Sequence, residues 1–236
     1  MYFERLARTL PDVRARIAAA CRRAGRGDPE RVLLVAVTKG HPADAVRAAH
    51  AHGVRAIGEN RVQEGEVKRA EVSELELEWH LVGHLQRNKV RRALRVFDWV
   101  QSVDSVRLGE EIDREAEKAG RRADVLIEVN ASGEPQKYGL PVDDALPVIA
   151  EIARREGLRV HGLMAMAPLT QDEEVLRSAF RRARECFERC RDEVPGFDAR
   201  HLSMGMSNDY PIAVEEGATM VRIGTALFGP REGEGG

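Results

Sequence analysis

The stretch Val32–Gly40, which reads VLLVAVTKG, decides the fold. Six consecutive apolar residues, three of them valines, are typical of a short strand that is buried on both faces, as in a parallel sheet. The run ends in Thr38, Lys39 and Gly40, and Pro42 then opens a segment with the spacing of an amphipathic helix. The stretch therefore predicts the first strand of a βα unit, with a lysine at the carboxyl end of the strand.

The rest of the chain repeats this unit. Short β-branched runs alternate with longer amphipathic segments, each long enough for one helix, such as Val142–Glu156 and Asp172–Glu193. The predicted strands are Val32–Thr38, Arg55–Gly58, Glu78–Val82, Trp99–Val103, Val125–Asn130, Arg159–Met164, His201–Met204 and Met220–Gly224. Eight βα units within 236 residues predict a single (β/α)8 barrel, the TIM barrel.

The ends of the chain complete this architecture. Residues 1–25 predict an additional N-terminal helix, residues 232–236 read as a frayed tail, and we expect one domain over residues 1–236. A doubly wound sheet is the rival fold. It would need fewer strands, or a glycine-rich dinucleotide loop after the first strand, where Thr38-Lys39-Gly40 has no G-x-G-x-x-G pattern.

Composition narrows the classes of partner and the compartment. Hydrophobic residues make up 43% and charged residues 32% of the chain, which excludes a disordered protein. The net charge of −2 provides no cationic field, so neither nucleic acid nor a membrane is expected as a partner. Three cysteines are too few for a disulfide framework, and no signal peptide or membrane-spanning run is present, so the sequence predicts a cytoplasmic protein.

Lys39 is the most informative residue of the predicted barrel mouth, where ligands of this fold bind. Only five of the 37 basic residues are lysines, and this one follows a buried strand. A partly desolvated amine is a nucleophile towards aldehydes, so a Schiff base is the chemistry expected there. A lysine that simply extends to solvent from the strand end is the alternative interpretation.

The loops after the last two strands indicate a phosphate site. Ser207, Gly224 and Thr225 lie in short, small-residue segments between strand and helix, where backbone amides and hydroxyl groups can reach an anion. Each glycine taken singly is also explained by a tight turn. A lysine together with a phosphate cradle describes a holder for a phosphorylated aldehyde, and pyridoxal 5′-phosphate (PLP) is the obvious candidate.

Five blocks of the sequence also resemble a known family. The segments 36–40, 57–64, 79–89, 202–209 and 220–229 are similar to the signature blocks of the PLP homeostasis proteins, also called the YggS-type or proline synthetase co-transcribed family. The likeness covers almost the whole chain. It implies a single barrel similar to the alanine racemase N-terminal domain, with PLP bound as a Schiff base to Lys39.

The resemblance also implies roles for individual residues. Ser207 and the backbone of Gly224 and Thr225 match the phosphate contacts, and Arg222 matches the partner of the pyridine nitrogen. Period-two alternation places Arg222 and Gly224 on one face of the last strand. The remaining implied pocket walls are Asn60, His84 and Met204.

Two local patterns favour no separate site. His80 and His84 have the i, i+4 spacing of a helical metal pair, but Trp79–Gly83 reads as a strand, which separates the two side chains. No metal site is therefore predicted. The basic cluster 87–92 reads as a helix start.

Three classes of function are compatible with these residues. The first is a carrier or buffer of PLP in intracellular homeostasis, without substantial catalysis, for which apo PLP-dependent enzymes are possible recipients and a monomer is expected. The second is a PLP-dependent racemase or decarboxylase, which requires a second base from an appended domain; only eight residues follow Phe228 here. The third is a protein-binding barrel, which would leave Lys39 unexplained. The first is the prediction.

Overall fold

The computed structural model describes residues 1–134 and 136–230, and its centre is a closed barrel of eight parallel strands. Hydrogen bonds join the barrel strands in the order β1-β2-β3-β4-β5-β7-β8-β9 and back to β1, while the two-residue β6 pairs with β5. This confirms the predicted TIM barrel and excludes the doubly wound sheet. The strands are β1 Leu33–Val37, β2 Ala56–Glu59, β3 Glu78–Leu81, β4 Trp99–Val103, β5 Ala123–Asn130, β6 Leu140–Pro141, β7 Leu158–Ala165, β8 Phe197–Ser203 and β9 Met220–Ile223.

Helices surround the barrel, and α1 is the predicted additional N-terminal helix. The α-helices are α1 Tyr2–Arg23, α2 Ala43–Ala51, α3 Val62–Glu71, α4 Val90–Val96, α5 Val106–Lys118, α6 Ala145–Ala153, α7 Glu173–Glu193, α8 Tyr210–Glu215 and α9 Thr225–Phe228. The helix predicted over Val142–Glu156 begins as a 3-10 turn, Val142–Asp144, before α6. Pro147 has no N–H to donate to the carbonyl of Asp143, so the regular ladder starts only at Ala145.

Alternation along the strands separates two cores. A larger core lies between the strands and the helices, and a small cluster fills the barrel itself. Val35 belongs to the inner cluster and lies in register with Arg222, so the odd-numbered positions of β1 and the even-numbered positions of β9 face the barrel axis. The buried members of the inner cluster are Val35, Ala56, Trp99, Leu126, Met164 and Met220.

The largest boundary difference is in β8, which begins at Phe197 rather than at His201. Polar residues in its first half obscure the strand pattern. The neighbouring β7 carries an irregularity between Val160 and Gly162, where φ of Gly162 is +144° and an added Cβ would collide with the carbonyl oxygen of His201. Only glycine fits this close approach, and the register between the two strands changes across the irregularity.

Within the described residues no helix combines the length and the apolar character needed to cross a bilayer. Cys21, Cys186 and Cys190 are all buried free thiols. The predicted tail, residues 232–236, lies outside the described residues, and the single domain over residues 1–236 stays a prediction.

Candidate functional site

The carboxyl ends of β1 and β9 bring Lys39 and Gly224 to the same mouth of the barrel. Lys39 is half-buried and follows the end of β1 by two residues. The register that joins Ala36 to Ile223 places Gly224 beside Val37, and a Cβ added to Gly224 would lie 3.2 Å from the Val37 carbonyl oxygen. A glycine at position 224 therefore keeps the backbone open next to the lysine.

Arg222 is the buried cation of this mouth, with 4% of its surface exposed. Its Nη1 donates to the carbonyl oxygen and to Oγ of Ser203 at 2.8 and 2.7 Å, and its Nη2 donates to the carbonyl oxygen of Ala165 at 3.0 Å. Burial lowers the pKa of Arg222 to about 10, while Glu128 and Asp209 oppose that shift, so the guanidinium stays charged at neutral pH. Since arginine carries five N–H donors, these three bonds leave donor capacity for a ligand.

The two loops that were predicted to bind phosphate are joined to each other. The backbone N–H of Ala226 donates to Ser207 Oγ at 3.1 Å, and the N–H of Met206 donates to Asp209 Oδ1 at 2.6 Å. Ser207 is half-buried and Thr225 is exposed. The arrangement places two hydroxyl groups and an open glycine backbone on one surface, a donor set that suits an anion.

Asn60 and His84 lie where β2 and β3 reach the mouth. The backbone of Gly83 packs directly on the backbone of Asn60, so that any Cβ at position 83 would collide with it. His84 Nδ1 lies 3.3 Å from Asp104 Oδ2, and its ring stacks on Tyr138 with the centroids 4.2 Å apart. Tyr138 was missed by the sequence analysis, because an aromatic residue in an irregular loop carries no periodic signal.

The predicted pocket wall Met204 does not lie with the other predicted residues at the mouth. Its side chain is fully buried in the larger core between strands and helices. The neighbouring Ser203 faces the barrel interior and contacts Arg222 instead. The physical reason is the period-two alternation of β8, which turns adjacent side chains to opposite faces.

Glu128 is a further residue at this mouth that sequence analysis did not single out. Its side chain is 3% exposed, and burial together with the nearby Asp104 raises its pKa to about 7, although Arg222 opposes the shift. A carboxyl group inside the apolar run of β5 was a usable signal. It gives the mouth a group that changes charge near neutral pH.

A buried ion pair supports the mouth from the helix side. Lys68 Nζ on α3 donates to Glu59 Oε1 and to the carbonyl oxygen of Thr38, both at 2.7 Å. Thr38 Oγ1 also donates to Glu59 Oε1 at 2.5 Å. Burial raises the pKa of Glu59, while Lys68 and Thr38 act in the opposite direction. Glu59 thus points away from the barrel axis and buttresses the strand ends.

Lys68 is also linked, through Glu64, to the peptide group that follows Lys39. Lys68 Nζ donates to Glu64 Oε1 at 2.8 Å, and the backbone N–H of Gly40 donates to that oxygen at 2.6 Å. The peptide groups that precede and follow Lys39 are therefore both anchored to one buried network. Spacing alone could not reveal this network, because its members come from β1, β2 and α3.

His80, His84 and Tyr210 lie apart from one another. His80 is fully buried inside the barrel, whereas His84 lies at the mouth, so the strand separates them as predicted. The Tyr210 hydroxyl is buried in the neighbourhood of Arg16 and Asp12 of α1. Among the described residues, no three His, Cys, Asp or Glu side chains are arranged to hold a metal ion.

One known domain family matches almost the whole chain. The family described as the alanine racemase N-terminal domain matches residues 9–232. The chain is 43% identical to the pyridoxal phosphate homeostasis protein of Pseudomonas aeruginosa over 96% of each chain. It is 38% identical to the protein of that name from Escherichia coli, over 96% of this chain and 97% of the relative.

Solved structures agree with the sequence relatives. PipY of Synechococcus elongatus with PLP bound superimposes with a TM-score of 0.80 at 41% identity, over 90% of this chain and all of PipY. An alanine racemase of Clostridium difficile has a TM-score of 0.78 at 17% identity, over 98% of this chain and 58% of the racemase, and shares the fold. Because the two sequence relatives are matched over almost their full length, the chain belongs to the family of pyridoxal phosphate homeostasis proteins, built on the alanine racemase N-terminal fold.

Proposed function

We propose that this protein binds PLP at the barrel mouth and acts in intracellular PLP homeostasis as a carrier or buffer, without substantial catalysis. The observation that carries the proposal is the presence of Lys39, the buried cation Arg222 and the open backbone of Gly224 at one mouth. The donor set fits PLP, which presents an aldehyde, a phosphate and a pyridine nitrogen. When bound, PLP supplies an aldehyde that condenses reversibly with amines and releases one water.

Each residue at the mouth then has a separate task. The amine of Lys39 holds the cofactor covalently as a Schiff base, and its backbone is kept in place by the Lys68 network. Ser207, Gly224 and Thr225 bind the phosphate, and Arg222 donates to the pyridine nitrogen. Because Arg222 is a permanent donor, it keeps that nitrogen unprotonated and weakens electron withdrawal by the ring.

The carrier role is favoured over a racemase role by the surroundings of the candidate second bases. Racemisation needs a base on each face of the reacting carbon. His84 is partly exposed and engaged with Asp104 and Tyr138, and Tyr210 is directed towards α1. The names of the relatives point in the same direction. Delivery to apo PLP-dependent enzymes, a monomeric state, a cytoplasmic location and the absence of nucleic-acid partners stay predictions.

The test is labelling of the lysine. We expect purified protein loaded with PLP to show an absorption band in the visible region, and borohydride reduction followed by peptide mapping to place the pyridoxyl group on Lys39. Lys39→Ala should lose the band, whereas the control Lys89→Ala should keep it. A label found on Lys89 or Lys137 alone would contradict the assignment. Mixing the loaded protein with an apo PLP enzyme and following the recovery of its activity tests delivery.

A further inference from the structure

A chain of hydrogen-bonded side chains crosses the barrel interior from Arg222 to His80. Arg222 Nη1 on β9 donates to Ser203 Oγ on β8 at 2.7 Å, and Ser203 Oγ donates to Gln101 Oε1 on β4 at 2.7 Å. Gln101 Nε2 lies 3.0 Å from Nδ1 of His80 on β3. Ser203, Gln101 and His80 are all completely buried. The chain thus links four strands from one wall of the barrel to the other.

The direction of every bond in this chain follows from its first member. Arginine can only donate, so Ser203 Oγ accepts from Arg222 and directs its single proton to the carbonyl oxygen of Gln101. The amide nitrogen of Gln101 must then face His80 and donate to Nδ1. His80 therefore carries its proton on Nε2 and is neutral.

The surroundings of His80 agree with that tautomer. Burial lowers the pKa of His80 to about 3, so the imidazole stays neutral wherever the protein is expected to be folded. Its ring stacks on Trp99 with the centroids 5.7 Å apart. Nε2 has no hydrogen-bond partner among the described residues, and the Glu78 carboxylate lies 3.8 Å away. The series of hydrogen-bonded side chains accordingly ends at His80.

Apolar side chains surround this chain. The inner cluster that fills the barrel consists of hydrophobic residues such as Leu126 and Met164. A hydroxyl or amide that lost its partner there would have few alternatives, so the hydrogen bonds that run from Arg222 to His80 Nδ1 hold these side chains in one arrangement. The position of the Arg222 guanidinium is therefore coupled to side chains on the opposite wall.

We propose that Ser203, Gln101 and His80 are positioning residues that hold the Arg222 guanidinium towards the barrel mouth, where it donates a hydrogen bond to the pyridine nitrogen of PLP. The proposal rests on the proposed function. None of the three residues touches the cofactor in this scheme. They act through Arg222, and the sequence offers no local sign of it, because Gln101 and Ser203 are 102 residues apart.

The test compares Ser203→Ala and Gln101→Met with the control Thr219→Val. Thr219 Oγ1 accepts from the N–H of Leu202 and donates to the carbonyl oxygen of Arg200, so this variant also loses two side-chain hydrogen bonds, but none to Arg222. The readouts are the Kd of PLP by titration, the absorption maximum of bound PLP, the position of the borohydride label, and thermal unfolding without PLP.

We expect Ser203→Ala and Gln101→Met to bind PLP about tenfold more weakly, with a shifted absorption maximum and the label still on Lys39. Thr219→Val should lose stability without either change. In an Arg222→Met background, Gln101→Met should cause no additional loss of affinity, because the two residues act as one unit.

The outcomes separate this proposal from the proposed function. Wild-type affinity and absorption in both variants, or an equal loss in Thr219→Val, would overturn the positioning role while PLP binding on Lys39 stands. A wild-type protein that takes up no PLP, or carries it on another lysine, would overturn both. If Gln101→Met does not fold, the smaller change Ser203→Ala decides the question.

Discussion

Removal of the Lys68 amine should expose how strongly the mouth depends on its buried ion pair. In Lys68→Met, Glu59 loses its 2.7 Å partner, and its second oxygen, Oε2, already has no hydrogen-bond partner among the described residues. An uncompensated buried charge of this kind typically costs about 3–5 kcal/mol of unfolding free energy. We expect a loss of that size at pH 7, together with weaker PLP binding, because the carbonyl oxygen of Thr38 before Lys39 loses its donor and Glu64, which accepts from the N–H of Gly40, loses its ion-pair partner.

The pH dependence of this loss follows from Glu59. Burial already raises its pKa, and without Lys68 the pKa should rise further. When a carboxyl group has a higher pKa in the folded than in the unfolded protein, the free energy of unfolding falls as pH rises through the folded pKa. The deficit of Lys68→Met should therefore be smaller at pH 5 than at pH 8.

Urea denaturation of the protein without PLP, followed by tryptophan fluorescence at pH 5, 7 and 8, measures the effect. The double variant Glu59→Gln/Lys68→Met should recover much of the loss, because replacing both partners of a buried pair costs far less than removing one. Lys118→Met is the matched control, since that lysine is 61% exposed and pairs with Glu115 on a helix surface. A loss in Lys68→Met no larger than in this control, or no recovery in the double variant, would refute the reasoning.

Three further predictions concern the mouth itself. Gly224→Val should weaken PLP binding, because the new side chain fills the space beside the Val37 carbonyl, while the barrel still folds, because φ of Gly224 is −114°. Titration with PLP and with pyridoxal measures the effect. Equal affinities of the wild-type protein for the two compounds would place the phosphate site elsewhere. Glu128→Gln should raise the melting temperature at pH 8 but not at pH 5, because the wild-type carboxyl ionises with a pKa of about 7 and its folded pKa lies above the unfolded value; an equal gain at both pH values would contradict this. The PLP-loaded protein should show no enzyme-like exchange of the α-proton of D- or L-alanine in deuterated water; rapid exchange that is lost in Lys39→Ala would favour the racemase alternative.

The sequence alone was sufficient for the features that depend on local pattern. Apolar runs of strand length, separated by helix-length segments, gave the number and order of the barrel strands, because burial on both faces leaves a continuous apolar stretch. The same pattern marks the carboxyl ends of the strands, which is why Lys39, Ser207 and Gly224 could be placed at the mouth.

Only the tertiary structure decided which polar side chains meet. Alternation in β8 places Ser203 and Met204 on opposite faces, and the closed barrel decided that the face of Ser203 is the interior one. The pairing of Lys68 with Glu59 depends on how α3 packs against β2, and the link from Arg222 through Ser203 to Gln101 depends on barrel closure. Periodicity reports the face on which a side chain lies, but closure of the sheet sets its distance from a residue a hundred positions away.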